Sequence, residues 1–78
     1  MNILVVDDEI LAIQYLTGLL DWEAYGYRIV AAAFNATEAK KYLKDREIDL
    51  VIFDVSMPEE SGVKLSEYIA KNHPAVKM

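Results

Sequence analysis

The sequence has no cysteine, so neither a disulfide framework nor a thiolate metal site is open to it, and a reducing cytoplasm suits it. It also lacks any apolar run near the roughly 20 residues a membrane-spanning helix needs, and Met1-Asn2-Ile3 carries no basic leader before an apolar core. Neither a membrane span nor a signal peptide is expected. Basic residues are scarce, 8 Lys and Arg against 13 Asp and Glu, for a net charge of −5. That balance argues against nucleic-acid binding by this segment alone and favours cations or basic partner surfaces. Repeats, low-complexity tracts and internal linkers are missing as well. What remains is 78 residues, 54% apolar and 27% charged, the composition of one small globular domain or part of one. A chain of this size buries only about 60% of its unfolded surface, so its core is modest.

The most informative stretch is Leu50-Val51-Ile52-Phe53-Asp54-Val55-Ser56-Met57-Pro58. An apolar run rich in β-branched and aromatic residues reads as a strand buried on both faces, the habit of parallel sheets. Pro58 cannot continue a central strand and biases Met57 away from helical angles, so the strand is expected to end near Val55. Asp54 then sits at the carboxyl end of a buried strand, where open α/β sheets bind ligands. Ile3-Leu4-Val5-Val6 followed by Asp7-Asp8-Glu9 repeats the arrangement, strand first and carboxylates at its end.

Between these strands, Ile13, Leu16 and Leu20, with Ile10 a turn earlier, recur at helical spacing and predict an amphipathic helix over 10–20. Gly18 costs it up to about 1 kcal/mol without ending it. Residues 21–26 read as a loop, with Trp22 and Tyr25 covering the sheet edge. Tyr27 to Ala33 reads as a strand weakened by its three alanines. Asn35 and Glu38 have the spacing of a capping box, in which Glu38 reaches back to the N–H of Asn35. A helix follows to about Arg46, burying Ala39, Tyr42 and Leu43. A third helix spans about Gly62 to Lys71, with Val63, Leu65, Tyr68 and Ile69 as core candidates, and Asn72-His73-Pro74 stops it. The tail from Ala75 is apolar enough to begin another strand. Alternation of this kind implies a parallel sheet with helices on its faces.

If the strands beginning at Ile3 and Leu50 are neighbours, Asp7, Asp8 and Asp54 converge, since adjacent strands lie about 4.8 Å apart. Three such carboxylates need a cation if all are to stay ionised, and an oxygen-only donor set favours Mg²⁺ over Zn²⁺. A carboxylate beside Mg²⁺ can also attack a phosphoryl group, so Asp54 has two open roles, metal ligand and phosphoacceptor. The plainer reading makes Asp7, Asp8 and Glu9 helix-start acids and Asp54 a strand-end cap. Trp22, Tyr25 and Tyr42 read as packing residues, His73 as a solvated helix end, and Lys40, Lys41 and Lys44 as an exposed helix face.

Val5-Val6-Asp7-Asp8-Glu9, with Phe53-Asp54-Val55-Ser56-Met57-Pro58 and Gly62, resembles the receiver domain of two-component response regulators. Asp21-Trp22-Glu23 with Gly26-Tyr27 is similar to the subgroup whose receivers precede an AraC-type DNA-binding domain. The resemblance implies an incomplete α/β, flavodoxin-like (CheY-like) parallel sheet with helices on both faces. Residues 1–78 would supply its first three βα units as a partial receiver domain. It further implies that Asp54 accepts phosphate from a sensor histidine kinase in the cytoplasm. Asp8 would bind Mg²⁺ directly, Asp7 directly or through water, and Ser56 through its backbone carbonyl. The family's switch Ser or Thr and its later Lys have no counterpart in these 78 residues. Ala36 stands where relatives often have Gly.

The expected role is that of a switch and not of a turnover enzyme, with DNA reached only through an output domain beyond this sequence. A non-phosphorylated interaction module and, behind it, an Mg²⁺-dependent aspartate-nucleophile phosphatase are the alternatives. Without a fourth and fifth strand, the Leu50 strand becomes an apolar edge. That predicts a homodimer or strand-exchanged assembly.

Overall fold

Four consecutive apolar residues, Ile3 to Val6, form the most buried strand of the chain, each exposing 2% of its surface or less. The computed structural model describes residues 1–53 and 62–78. In it β1 (Asn2–Val6) lies between β2 (Arg28–Ala33) and β3 (Leu50–Phe53), all parallel, in the order β2-β1-β3. A strand with neighbours on both sides and helices on both faces meets no water, which is why β1 carries no polar alternation. Leu4 and Val6 point to one face, where α2 (Ala36–Asp45) and α3 (Gly62–Asn72) pack, and Ile3 and Val5 to the other, under α1 (Ile10–Leu19).

The two faces are unequal. On the α2/α3 side ten buried residues form one cluster, among them Ala33, Ala39, Leu43, Val51, Leu65 and Ile69. On the α1 side, among the described residues, Ile3, Val5 and Ile13 are buried, with Leu16, Trp22, Ile29, Leu50 and Ile52 half-covered around them. At about 1.5–3 kcal/mol per fully buried aliphatic side chain, the α2/α3 side carries most of the hydrophobic stabilisation.

β2 contains an irregularity that periodicity does not reveal. Ile3 pairs with Ile29, but Leu4 pairs with Ala31, so Val30 is an extra residue. Val30 and Ala31 accordingly pack towards the same face, while Ile29 and Ala32 pack towards the other. This is the signature of a β-bulge, in which two residues oppose one.

Most predicted elements stand where the sequence places them, with local differences. The 21–26 segment contains a 3₁₀ turn, Trp22–Tyr25, closed by Gly26 at φ 82°. That left-handed angle suits glycine. Trp22 covers the sheet as expected, its Nε1 donating to the Leu16 carbonyl at 3.1 Å, but Tyr25 stays 69% exposed because the turn carries it outwards. Ile10 and Leu20 flank the helix face that packs and remain exposed, as does Val63 on α3; Tyr42 and Tyr68 are half-buried. Asn35 caps α2 by accepting from the Glu38 N–H at 2.8 Å. The Glu38 carboxylate accepts from the Phe34 N–H at 2.7 Å, one residue before the position the capping box predicts. In β3 Val51 is buried, but Leu50, Ile52 and Phe53 are only half-buried, since β3 is an outer strand. The tail meets β3 in one isolated parallel bridge, Leu50 with Lys77, short of a strand: the Val51 N–H donates to the Lys77 carbonyl at 2.8 Å, and the Lys77 N–H to the Asp49 carbonyl at 2.9 Å. Val55, Met57 and Pro58, on which the predicted strand end rests, lie outside the described residues.

Candidate functional site

β1 delivers its acids to the carboxyl edge of the sheet, because the ladder runs one step beyond the strand. The Asp7 N–H donates to the Ala33 carbonyl at 3.0 Å, which holds Asp7 in line with the strand. Its side chain then turns the chain: Asp7 Oδ1 accepts from the Glu9 N–H at 3.0 Å. This two-residue reach is an Asx turn. Glu9 occupies the N-cap of α1 without a side-chain cap bond of its own, so Asp7 supplies the local order that a capping side chain ordinarily provides. Asp7 is half-buried, whereas Asp8 and Glu9 are exposed.

On the other side of β1, Val6 pairs with Phe53 in parallel register. These two residues immediately precede Asp7 and Asp54 in the sequence. The expected neighbourhood of the two strands is therefore present. Asp54 and Ser56 themselves lie outside the described residues. Among the described residues no three acidic or imidazole side chains gather closely enough to hold a metal ion.

Asp7 and Asp8 suit a hard cation as far as their chemistry goes. They are oxygen donors at an open sheet edge, Asp7 with one oxygen committed to the turn and Asp8 facing solvent. Few carboxylates with access to water match an ion that keeps much of its hydration shell, as Mg²⁺ does. The role of Asp7 in the turn was not anticipated from the sequence. The signal was present in the spacing of Asp7 and Glu9, since an Asp two residues before a helix N-cap is positioned for this bond. His73 packs its ring 5.7 Å from that of Tyr68 at the end of α3, and the Lys40 Nζ lies 4.9 Å from the centre of the same tyrosine ring.

A parallel sheet ordered β2-β1-β3, with α1 on one face and α2 and α3 on the other, and acids at the carboxyl end of its central strand, defines a flavodoxin-like receiver architecture. The family model described as the response regulator receiver domain matches residues 3–78, and the chain belongs to that family. Its relatives include the uncharacterized transcriptional regulatory protein YesN of Bacillus subtilis, 31% identical over 76 residues, which cover 97% of this chain and 21% of YesN. The sensory transduction protein LytR of Streptococcus mutans is 37% identical over 76 residues, 95% of this chain and 31% of LytR. Among solved structures, a two component transcriptional regulator AraC from Clostridium phytofermentans superposes with a TM-score of 0.88 at 28% identity, over 96% of this chain and 60% of that one. The chain thus spans about a fifth to a third of the curated relatives it matches here. Among the described residues no helix is long and apolar enough to cross a membrane.

Proposed function

We propose that this chain is the phosphoacceptor module of a two-component system, in which Asp54 takes a phosphoryl group from a sensor histidine kinase. The observation that carries the reading is the parallel pairing of Val6 with Phe53, the residues preceding Asp7 and Asp54. In the transfer, the bond between phosphorus and an imidazole nitrogen of the donor breaks while one forms to a carboxylate oxygen of Asp54. Mg²⁺ would be held by Asp7, Asp8, Asp54 and the Ser56 carbonyl oxygen. When bound, it offsets charge on both phosphate and carboxylate. The chain's own contribution is to present the carboxylates at one open edge, Asp7 through its ladder bond to Ala33 and its turn bond from Glu9.

The module acts as a switch. A phosphoryl group at Asp54 shifts a balance between conformations and thereby controls an attached output. We read that output as DNA-binding transcription regulation in the cytoplasm. The resemblance of Asp21-Trp22-Glu23 and Gly26-Tyr27 to receivers of the AraC-type subgroup supports this, as do the transcriptional regulators among the relatives. A second copy of the chain is a further proposed partner.

The test is the intact mass of the 78-residue chain, and of a longer protein containing it, after incubation with Mg²⁺ and acetyl phosphate, each beside an Asp54→Asn variant. A Mg²⁺-dependent adduct of one phosphoryl group, lost in Asp54→Asn, is the expected result. Absence of the adduct from both proteins would overturn the assignment and leave the non-phosphorylated interaction module. Turnover of a phosphate ester would instead indicate the phosphatase.

A further inference from the structure

β1 and β3 are joined at their amino ends by side chains as well as by the ladder. Asn2 engages the segment that leads into β3 three times: its N–H donates to Asp49 Oδ2 at 2.7 Å, its Nδ2 donates to the Glu47 carbonyl at 2.9 Å, and its own carbonyl accepts from the Asp49 N–H at 2.8 Å. The Asp49 carbonyl accepts from the Lys77 N–H, so the N–H, carbonyl and carboxylate of Asp49 are all committed. Asp49 is exposed, and water alone could serve its charge, yet it takes a backbone N–H in a short charge-assisted bond. Beyond this clamp the ladder is wholly apolar. Ile3, Leu4, Val5 and Val6 pair with Leu50, Val51, Ile52 and Phe53.

Resting on the reading of Asp54 as phosphoacceptor, we propose that Asn2 and Asp49 are positioning residues for the carboxylate site at the far end of the same strands. Asn2 and Asp49 are 47 positions apart, every pair of the ladder keeps that separation, and Asp7 and Asp54 have it too. The register that the clamp fixes is thus the one in which the acids ending the two strands come level, about 16 Å away at 3.3 Å per residue. The apolar pairs by themselves fix it only weakly. A slip of one residue turns every side chain of β3 to the wrong face, and burial excludes it. A slip of two keeps the faces and exchanges one aliphatic neighbour for another. It also carries one carboxylate about 6.6 Å along the strands relative to the other, well beyond the roughly 2.1 Å reach of a ligand to Mg²⁺. The clamp is what distinguishes the two registers. In a slipped sheet Asn2 no longer meets residues 47 and 49, and in one direction the Asp49 charge would come level with Leu4, which is fully buried.

The experiment is NMR of the 78-residue chain without metal, followed by a Mg²⁺ titration read on the amide signals of Asp7 and Asp8. In Asp49→Ala the cross-strand contacts from Ile3 with Leu50 to Val6 with Phe53 are expected to weaken or give way to a second set. The Mg²⁺ concentration at half-saturation should rise about tenfold or more, as for a misplacement of ligands by a distant change. Asp49→Asn keeps an oxygen for the Asn2 N–H and should recover most of both. Asn2→Leu removes only the bond to Glu47 and should shift both in the same direction by less. Arg46→Ala removes a side-chain bond to the Val30 carbonyl, on the other side of β1. It should leave both readouts as they are, which separates positioning from a general loss of stability. Unchanged cross-strand contacts or an unchanged Mg²⁺ half-saturation in Asp49→Ala, or in Asn2→Leu if Asp49→Ala does not fold, would overturn the proposal. The contacts are read with no metal or phosphate present, so failure of the phosphoryl adduct to form on the unaltered chain would count against the role of Asp54 and not against the clamp.

Discussion

The guanidinium of Arg46, just past the end of α2, donates to the carbonyl of Val30 at 2.9 Å. Val30 is the extra residue of the bulge in β2, and β2 is an outer strand. The bond ties the irregular part of that edge to the helix that crosses it, and the Arg46 head group also lies 5.3 Å from the Tyr42 ring centre. Arg46→Ala should therefore lower stability by about 0.5–1.5 kcal/mol, measured by urea unfolding. Amide exchange should speed up in β2 more than in β3. Uniform acceleration over the sheet would show that the contact does not hold the bulge.

The start of α2 offers a cleaner local test. Asn35 accepts from Glu38 and Glu38 accepts from Phe34. Asn35→Ala should cost about 1 kcal/mol, whereas Asn35→Asp keeps the acceptor and should be close to neutral or better. A loss of equal size in both variants would mean that the side-chain bond is not what stabilises the helix start.

Asp7 has two roles that substitutions can separate. Asp7→Asn keeps an oxygen for the Glu9 N–H but removes the charge; Asp7→Ala removes both. Thermal melting without metal should fall for Asp7→Ala, by the equivalent of about 1 kcal/mol, and hardly for Asp7→Asn. The added stability conferred by millimolar Mg²⁺ should shrink in both, and in Asp8→Asn. Unaltered Mg²⁺ stabilisation in all three would remove these acids from the metal site.

The unequal faces of the sheet predict unequal costs of truncation. Leu65 is fully buried on the α2/α3 side, while Leu16 on the α1 side is half-buried. Leu65→Ala should cost about 2–5 kcal/mol, a large share of the marginal stability of so small a domain. Leu16→Ala should cost clearly less. If the two cost the same in denaturant titrations, the α1 side is better packed than its exposure indicates.

The local features of this protein are legible in its sequence because their causes are local. The Ile3–Val6 run, the three-and-four spacing around Ile13, the Asn35 cap and the stop at His73-Pro74 each act within a few residues. Each appears in the fold at or within a residue or two of its expected place. The family resemblance rested on two short motifs and held over residues 3–78. The candidate site was legible to the extent that acids following a buried strand mark a sheet edge. What brings the edge together is the pairing of Val6 with Phe53, a contact between residues 47 positions apart.

Other features were decided only by packing across the chain. Ile10, Tyr25 and Val63 have the apolar character of core residues, but neighbours distant in sequence determine which side of an element is covered, and these three face outwards. The bulge at Val30 left no periodic trace, since a run of small apolar residues fits either face of a strand; pairing with β1 selected where the extra residue goes. The sequence alone thus determined the elements, their order and the acids that end β1. Tertiary structure decided the β2 register and the uneven burial of the two faces, because burial is a property of surfaces that meet and not of the residues taken one at a time.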